Sequence, residues 1–465
     1  MPQLSEQFIR EKFAPFAERM QREGLPHIVI NTFEYYYTQL LKGKTGLIPE
    51  ADIRPVKSLP DVETFSTEMI KIGEATLSKT ILLKLNGGLG TSMGLDKAKS
   101  LLTVKNNFTF LDIIAHQARQ ANVPLVLMNS FATRNDSLAA LKKYPDLFPD
   151  IPRDFMQHKI PKVSQTDLSP ATWPQDPELE WCPPGHGDIY TALVTSGMLD
   201  TLLEAGYEYA FVSNSDNLGA VIDRAILGYF VKNNLPFMME AADRTEADKK
   251  GGHLAQFRNG QLILRESAQC PRDDMHDFQN INRHKYFNTN NLWLNLSALN
   301  SVLQAKNNIL GLPMIRNGKT VDPRDSTSPP VYQLETAMGS AIAIFEGAGA
   351  VKVPRTRFAP VKTTNDLLAI RSDAYILTED FHIIQNPQRR LRQIVISLDP
   401  HYYKLIDEME VRFPHGAPSL IECGKLHVDG DVKFGQNVTL KGNISFTNES
   451  DQQGKIENIA ILQGE

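Results

Sequence analysis

Apolar residues near the amino terminus recur with the spacing of a helix. From Phe33 they stand at intervals of i, i+3, i+4, i+7 and i+8, which is one stripe along a helix, and Gly43 offers a place for that helix to stop. We therefore predict a helical segment over residues 1–75 that forms an arm or a cap on the rest of the chain.

At Thr80 the pattern changes to short apolar runs that are separated by turns. Strands are predicted at ILLKL (81–85), VPLVLM (123–128), YAFVSN (209–214) and PFMMEA (236–241), and a helix from Phe110 to Arg119 joins the first two. A strand, helix, strand order indicates parallel strands with right-handed crossovers, and such sheets bind ligands beyond the carboxyl ends of their strands. We predict an α/β domain over residues 76–378.

The last forty residues follow a period of six. Two apolar series have this spacing, namely Leu426, Val432, Val438, Ile444 and Val428, Phe434, Leu440, Phe446. A six-residue repeat is typical of a parallel β-helix, whose coils stack to bury their inward side chains. Four hexads make little more than one coil, so we expect this β-helix, from about residue 422 of a 379–465 domain, to pack against the main domain or another subunit.

Composition narrows the class of partner. The chain has 465 residues, of which 42% are hydrophobic and 22% charged, and its 54 acidic and 49 basic residues give a net charge of -5. A protein that binds nucleic-acid backbones usually carries a basic excess, so we expect no nucleic-acid partner. A local basic pocket for an anionic small molecule remains compatible with this balance.

Three widely spaced cysteines, Cys182, Cys270 and Cys423, fit neither a disulfide framework nor a zinc ribbon. The amino terminus lacks the apolar core of a signal peptide, and no run approaches the roughly 18 apolar residues of a spanning helix. We therefore expect a cytoplasmic protein without a membrane partner.

A glycine-rich loop, LNGGLGTSMGLDKAKS at 85–100, follows the first predicted strand. Glycine lets backbone N–H groups approach an anion closely, so Gly87, Gly88 and Gly90 are typical of a phosphate cradle, with Lys97 and Lys99 as nearby cations. The spacing matches neither the Walker A motif nor the dinucleotide fingerprint, because the last three glycines give GxGxxxG. A purely structural glycine turn is the alternative.

This loop resembles the nucleotide-binding signature of the UDP-glucose pyrophosphorylases, the UTP:glucose-1-phosphate uridylyltransferases of the eukaryotic type. Seven further segments match the family in order, which together span roughly residues 27–446: VPLVLMNS, WCPPGHGDIY, FVSNSDNLGA, KGGHLAQ, FNTNNLWLNL, QLETAMGSAI and VPRTRFAPVKTTNDLL. The resemblance implies a Rossmann-like catalytic domain of the glycosyltransferase-A-like class and a carboxyl-terminal left-handed parallel β-helix.

The reaction that the resemblance implies joins UTP and glucose-1-phosphate to give UDP-glucose and pyrophosphate with the help of Mg²⁺. A sugar-phosphate oxygen attacks the α-phosphorus in line, so the site needs backbone donors, cations and a metal-binding carboxylate more than a nucleophile and a base. The alternatives are a UDP-sugar pyrophosphorylase of broad specificity, a nicotinamide-dependent oxidoreductase and a catalytically silent nucleotide sensor.

The family's motifs imply roles for single residues. Lys99 and Lys362 match catalytic lysines, and Asp216 matches the metal ligand. The nucleotide-binding set is Leu85, Asn86, Gly87, Gly88, Lys99, Gln157, Gly185, Asp216 and Lys362. The set for the sugar phosphate is Gly87, Gly88, His186, Asn214, Ser215, Asp216, Gly252, Glu266 and Asn290. A homo-oligomer, if one forms, would use the carboxyl-terminal region.

Several of these residues also have a purely structural interpretation. Asp216 could cap a helix that starts near Leu218, and asparagines such as Asn290 are common in turns. Arg355 and Arg357 could contact phosphate or be solvated, and the run of Arg389, Arg390 and Arg392 is most simply a solvated face.

The sequence departs from the family pattern in two places. Lys97 and Ala98 replace a Gly-Pro pair just before the loop lysine, which could add a cation to the loop or change its closure. On the uracil side, Cys182 replaces an aromatic residue, and Lys159 with Ile160 replaces an Arg-Tyr pair.

Overall fold

The structure of the chain is a computed structural model that describes residues 4–147, 151–391 and 394–464. Its α-helices are α1 Glu6–Arg22, α2 His27–Leu41, α3 Thr67–Thr76, α4 Phe110–Ala121, α5 Arg134–Leu141, α6 Ile189–Thr195, α7 Met198–Glu204, α8 Arg224–Lys232, α9 Met275–Gln279, α10 Leu296–Ala305, α11 Thr364–Arg371, α12 Pro400–Tyr403 and α13 Ile406–Arg412.

The strands of the first half are β1 Ile53–Pro55, β2 Thr80–Asn86, β3 Thr103–Lys105, β4 Phe108–Thr109, β5 Leu125–Asn129, β6 Asp154–Met156, β7 Ile160–Pro161, β8 Val163–Ser164, β9 Trp181–Cys182, β10 Tyr209–Asn214 and β11 Phe237–Asp243. Those of the second half are β12 His253–Phe257, β13 Leu262–Arg265, β14 Tyr286–Asn295, β15 Met314–Thr320, β16 Pro330–Thr336, β17 Gly349–Lys352, β18 Tyr375–Leu377, β19 Ile383–Gln385, β20 Val395–Leu398, β21 Ser419–Asp429, β22 Val432–Phe434, β23 Thr439–Thr447, β24 Gly454–Ile456 and β25 Ile461–Gln463.

A ten-stranded sheet forms the centre of the molecule, with the order β1-β12-β14-β10-β2-β5-β6 and with β11, β13 and β17 attached beside this path. Strands β10, β2, β5 and β6 are parallel, and three of them, β2, β5 and β10, lie where the sequence predicts parallel strands. Strand β14 runs antiparallel to β10, β11 and β12, so the sheet is mixed around a parallel centre. Alternation of apolar residues identifies a strand but carries no information about its direction.

Both faces of the sheet are covered. Successive residues of β2 face opposite sides, so that Leu82 joins one hydrophobic core while Ile81 and Leu83 join another. The first core includes residues of α4, α8 and α11, and the second includes residues of α6, α7 and α10. Continuous apolar runs such as ILLKL are typical of strands that are buried on both faces.

Helices α1 and α2 form a hairpin whose core contains Phe13, Phe16, Phe33 and Tyr37. The helix predicted from Phe33 is confirmed, and Gly43 after it has a φ of 73°. An ion pair attaches the hairpin to the main domain: Arg19 Nη2 donates to Glu180 Oε2 at 2.6 Å, and Glu180 Oε1 accepts from the backbone N–H of Trp173.

We expect Arg19→Ala to lower the free energy of unfolding by about 1 to 3 kcal/mol, because Glu180 would lose its cation in a largely buried position. Denaturant unfolding measures this change. Arg10→Ala is the control, since the exposed Arg10–Glu6 pair should contribute less than about 1 kcal/mol. Equal losses in the two variants would contradict the prediction.

The carboxyl-terminal strands β20, β21, β23 and β25 form a parallel sheet, and β22 pairs in parallel with β24. Leu426 lies opposite Ile444 and Val428 opposite Phe446, so residues three hexads apart are neighbours. Leu426, Val428, Val432 and Phe434 belong to the same hydrophobic core as Leu82 of the central sheet. This short segment is therefore packed on the main domain.

One arginine of the predicted solvated run is buried. Arg389 is 6% exposed, and its guanidinium donates to the carbonyl oxygens of Leu420, Ile421 and Cys423. The interpretation of Arg389 as solvated is wrong, because strand carbonyls at the start of β21 offer it buried acceptors. Arg390 is exposed, and Arg392 lies outside the described residues.

The three cysteines are buried free thiols. Among the described residues, no helix combines the length and the apolar character that crossing a membrane requires.

Candidate active site at the carboxyl ends of the central strands

The glycine-rich loop begins where β2 ends, at Asn86. It folds back on itself, so that the backbone N–H of Lys99 donates to the carbonyl oxygen of Gly88 at 3.1 Å. Gly90 and Gly94 have φ values of 68° and 77°, which side-chain-bearing residues rarely adopt, and this explains two of the glycines. The loop thereby returns Lys99 to the edge of the sheet from which it started.

Lys99 and Asp216 meet at this edge although 117 residues separate them. Lys99 Nζ lies 2.9 Å from Asp216 Oδ2, and the two side chains are 15% and 23% exposed. Asp216 follows β10, the strand directly beside β2, so the parallel pairing places the two groups together. The pair holds one cation and one carboxylate at the position where an α/β sheet binds anionic ligands.

The segment after β10 stays tied to β2. Ser215 is buried, and its backbone N–H donates to the carbonyl oxygen of Leu85, while Asn214 is half-buried at the strand end. No helix begins near Leu218, so the interpretation of Asp216 as a helix cap is wrong. The next helix, α8, begins at Arg224, and Asp223 caps it instead.

Lys362 reaches the same edge from a third segment. It is exposed, it directly precedes the amino-terminal cap of α11, and its backbone N–H donates to Asp366 Oδ2. The neighbouring Val361 donates its N–H to the backbone carbonyl oxygen of Asp216 at 3.1 Å. The segment that carries Lys362 is therefore hydrogen-bonded to the segment that carries the carboxylate.

Glu266, Gly252 and Asn290 form a second group. A Cβ atom added at Gly252 would lie 2.6 Å from Glu266 Oε2, so the backbone of Gly252 lies directly against this carboxylate. Burial raises the pKa of Glu266, while a hydrogen bond from Asn288 and the positive charge of Lys362 act in the opposite direction. Asn290 has a φ of 58°, and its Oδ1 accepts from Asn288 Nδ2. Asn288 thus links Glu266 to Asn290.

Gln157 lies over the start of the glycine loop. A Cβ atom added at Gly87 would lie 2.5 Å from Gln157 Oε1, which shows how closely the two approach. Asn86 is 2% exposed, and its amide nitrogen donates to Asn129 Oδ1 and Ser137 Oγ. The Asn86 side chain therefore stabilises the start of the loop through hydrogen bonds inside the domain.

Gly185 and His186 form a turn against the end of β16 and the residues that directly follow it. Gly185 has a φ of 80°, and a Cβ atom there would lie 2.4 Å from the carbonyl oxygen of Thr336. His186 Nδ1 accepts a hydrogen bond from the backbone N–H of Met338 at 2.9 Å, and burial lowers the pKa of His186 to about 4. The ring is therefore neutral at pH 7, with its proton on Nε2.

The lowered pKa of His186 predicts a pH effect on stability. Between about pH 4 and 6.5 the unfolded chain binds a proton at this residue and the folded chain does not, so its contribution makes stability rise with pH in this window. We expect His186→Gln to reduce the slope of unfolding free energy against pH there. Denaturant unfolding at pH 5 and 7 measures it, with the exposed His401→Gln as control; an unchanged slope in His186→Gln would contradict the prediction.

The sequence interpretation missed two groups beneath the site. Lys84 is fully buried and donates to Ser213 Oγ and to the carbonyl oxygen of Ala220; burial, and secondly the charge of Arg357, lower its pKa to about 7. His158, next to Gln157, donates its backbone N–H to Asp188 Oδ2 at 2.7 Å. Lys84 could have been found from the sequence, because a lysine inside the apolar run ILLKL is unusual. No feature of the neighbouring sequence indicates the role of His158.

Comparisons with known proteins agree with this geometry. A family model described as UTP--glucose-1-phosphate uridylyltransferase matches residues 30–441. The UTP--glucose-1-phosphate uridylyltransferase of Solanum tuberosum is 42% identical over 394 residues, covering 83% of this chain and 80% of that protein. The Saccharomyces cerevisiae enzyme of the same name is 41% identical over 396 residues, covering 84% and 78%.

Solved structures extend the similarity to the whole chain. A point mutant of UDP-glucose pyrophosphorylase from Leishmania major superposes with a TM-score of 0.91 at 44% identity and covers 100% of this chain and 99% of that one. Another mutant of the same enzyme, in complex with UDP-glucose, has a TM-score of 0.90 at 45% identity and covers 97% and 98%. The mixed α/β fold around a largely parallel centre, the glycine loop and the collinear motifs place this chain in the UTP--glucose-1-phosphate uridylyltransferase family of nucleotidyltransferases.

Proposed function

We propose that this chain transfers a uridylyl group from UTP to glucose-1-phosphate, giving UDP-glucose and pyrophosphate. The observation that carries the proposal is the convergence of Lys99, Asp216 and the Lys362 segment beside a glycine loop at one edge of the sheet. The relatives bear this activity in their names, and one similar structure holds UDP-glucose.

The chain's own residues supply charge neutralisation and orientation. A phosphate oxygen of glucose-1-phosphate forms a bond to the α-phosphorus of UTP. The bond between this phosphorus and the oxygen that bridges it to the β-phosphate breaks, and pyrophosphate leaves with the electron pair. Both reactants are anions, so Lys99 and Lys362 would stabilise the negative charge that accumulates on the phosphates. Backbone N–H groups of the loop would hold the triphosphate, and Gln157 would read the uracil edge.

The sugar phosphate has its own set of partners. His186 is neutral, so its Nε2–H would donate a hydrogen bond to the sugar phosphate without adding a charge. Glu266 and Asn290, joined through Asn288, would accept from and donate to sugar hydroxyls.

We propose Mg²⁺ as the cofactor, with Asp216 as its protein ligand. Among the described residues, no group of three or more His, Cys, Asp or Glu side chains could hold a metal. A single half-buried carboxylate suits Mg²⁺, which usually binds one or two carboxylates and completes its shell with water and substrate phosphates. When bound, the ion would neutralise phosphate charge.

Pyrophosphate release with UTP and a panel of sugar-1-phosphates, with and without Mg²⁺, tests these proposals. We expect release with glucose-1-phosphate that depends on the metal and is abolished by a chelator. Absence of release with every sugar would refute the proposed reaction, and equal rates with galactose-1-phosphate would favour the broad-specificity alternative.

We further propose that the carboxyl-terminal parallel strands form a left-handed β-helix and that any homo-oligomer assembles through them. The pairing of residues three hexads apart supports a coil of three faces. Two apolar side chains on the outer strands, Val395 and Ile461, are 57% and 69% exposed. Light scattering of the intact chain and of a Val395→Asp, Ile461→Asp variant tests the oligomer, since only the former should associate.

A further inference from the structure

A buried polar network lies under the segment that carries Asp216. At its centre Glu240 of β11, which is 0% exposed, receives a bidentate pair of hydrogen bonds from Arg357 at 2.7 and 2.8 Å. Asn291 Nδ2 and Trp293 Nε1 also donate to this carboxylate, at 2.9 and 3.0 Å. Four donors on one buried carboxylate make a fully satisfied and therefore rigid support.

Asn217 connects this support to the two segments that hold the catalytic groups. It directly follows Asp216 and is 1% exposed. Its Oδ1 accepts from the backbone N–H groups of Gly219 and Ala359, and its Nδ2 donates to Asn291 Oδ1 and to the carbonyl oxygen of Arg357. All four hydrogen-bonding positions of the amide are used, so none remains for a substrate.

The partners of Asn217 lie on the approach to Lys362. Asn217 forms an antiparallel bridge with Pro360, and Val361 donates to the carbonyl oxygen of Asp216, so residues 216–217 run beside 359–361. Arg357 also holds the far end of the Asp216 segment, because its Nη2 donates to the carbonyl oxygen of Val221. These contacts thus hold the backbone of the Asp216 segment against the residues that lead to Lys362.

We propose that Asn217 is a positioning residue, which sets the Asp216 carboxylate and Lys362 at the spacing that uridylyl transfer requires. This inference rests on the proposed function. It predicts an effect on turnover without an effect on substrate contacts, because Asn217 contacts protein groups alone. Misplacing a catalytic group by about 1 Å, or removing the hydrogen-bonded support of a metal ligand, costs about 10- to 100-fold.

The test compares full-length wild type with Asn217→Ala and Asn217→Asp. We expect kcat to fall about 10- to 100-fold in both variants and the Mg²⁺ concentration for half-maximal rate to rise, with each KM changed less than about threefold. The Kd for UTP, measured by calorimetry without metal, should stay within threefold of the wild-type value. Asn217→Asp keeps the acceptor Oδ1 and the size of the side chain, so it supplies the answer if the alanine variant does not fold.

Asn295→Ala is the matched control. Asn295 lies on β14, the strand of Asn291, and accepts from the backbone N–H of Ala298 as the cap of α10. Its loss should lower the unfolding midpoint and leave kcat unchanged, which separates lost stability from lost positioning. If wild type forms UDP-glucose and folded Asn217 variants match its kcat and Mg²⁺ dependence, the positioning role is wrong. If wild type forms none, the proposed function fails, and this inference with it.

Discussion

Replacing Lys362 by alanine should lower kcat about 10² to 10³-fold, the size of effect seen when a preorganised donor to a developing anion is lost. Lys362 is exposed at the sheet edge, while its backbone is held by Asp366 and by the neighbouring pairing of Val361 with Asp216. Its ammonium is therefore free to meet phosphate although its Cα is fixed. A group that acts mainly on the transition state changes kcat more than KM.

Steady-state kinetics with UTP and glucose-1-phosphate measure this loss. Lys425→Ala serves as the control, because Lys425 is also an exposed lysine and lies on the carboxyl-terminal sheet. A folded Lys362→Ala enzyme that keeps more than a third of wild-type turnover would refute the catalytic assignment.

Replacing Lys99 by alanine should also lower kcat about 10² to 10³-fold. Lys99 Nζ and Asp216 Oδ2 lie 2.9 Å apart, so the two groups neutralise each other. Binding of the triphosphate would transfer Lys99 to phosphate oxygens and release the carboxylate for the metal. The alanine variant lacks the cation that would neutralise the phosphate oxygens, and its turnover falls for that reason.

A second measurement distinguishes this loss from general damage to the loop. Without Lys99, Asp216 has no competing cation, so calorimetric titration with Mg²⁺ in the absence of UTP should show tighter binding than in wild type. Asp96→Ala is the control: its side chain is exposed in the same loop, and we expect turnover within threefold of wild type. Weaker metal binding in Lys99→Ala, or an equal loss in Asp96→Ala, would contradict the assignment.

The local pattern of apolar residues was sufficient to predict helices and strands, because a short stretch of chain determines each of them. The helix from Phe33, the strands β2, β5 and β10, and the helix from Phe110 all lie where periodicity predicts them. The glycine loop was recognisable because backbone approach to an anion and positive φ values demand glycine whatever surrounds them.

Tertiary contacts determined the direction of β14 and the burial of charged side chains. Arg357 and Arg389 have no local mark that separates them from solvated arginines, yet one pairs with Glu240 and the other with strand carbonyls. Burial of a charge depends on whether acceptors arrive from distant segments, which a single sequence does not state.

The sequence by itself determined the element order, the class of fold, the family and the identity of the residues that could handle phosphate. The tertiary structure alone decided which of those residues meet. Lys99 finds Asp216 across 117 residues because β2 and β10 are neighbours, and Asn217 joins Asp216 to the Lys362 segment because β11 and β14 place Glu240 and Asn291 below them. Periodicity arises within one segment, whereas a site arises from the packing of several, and this is the physical reason for the division.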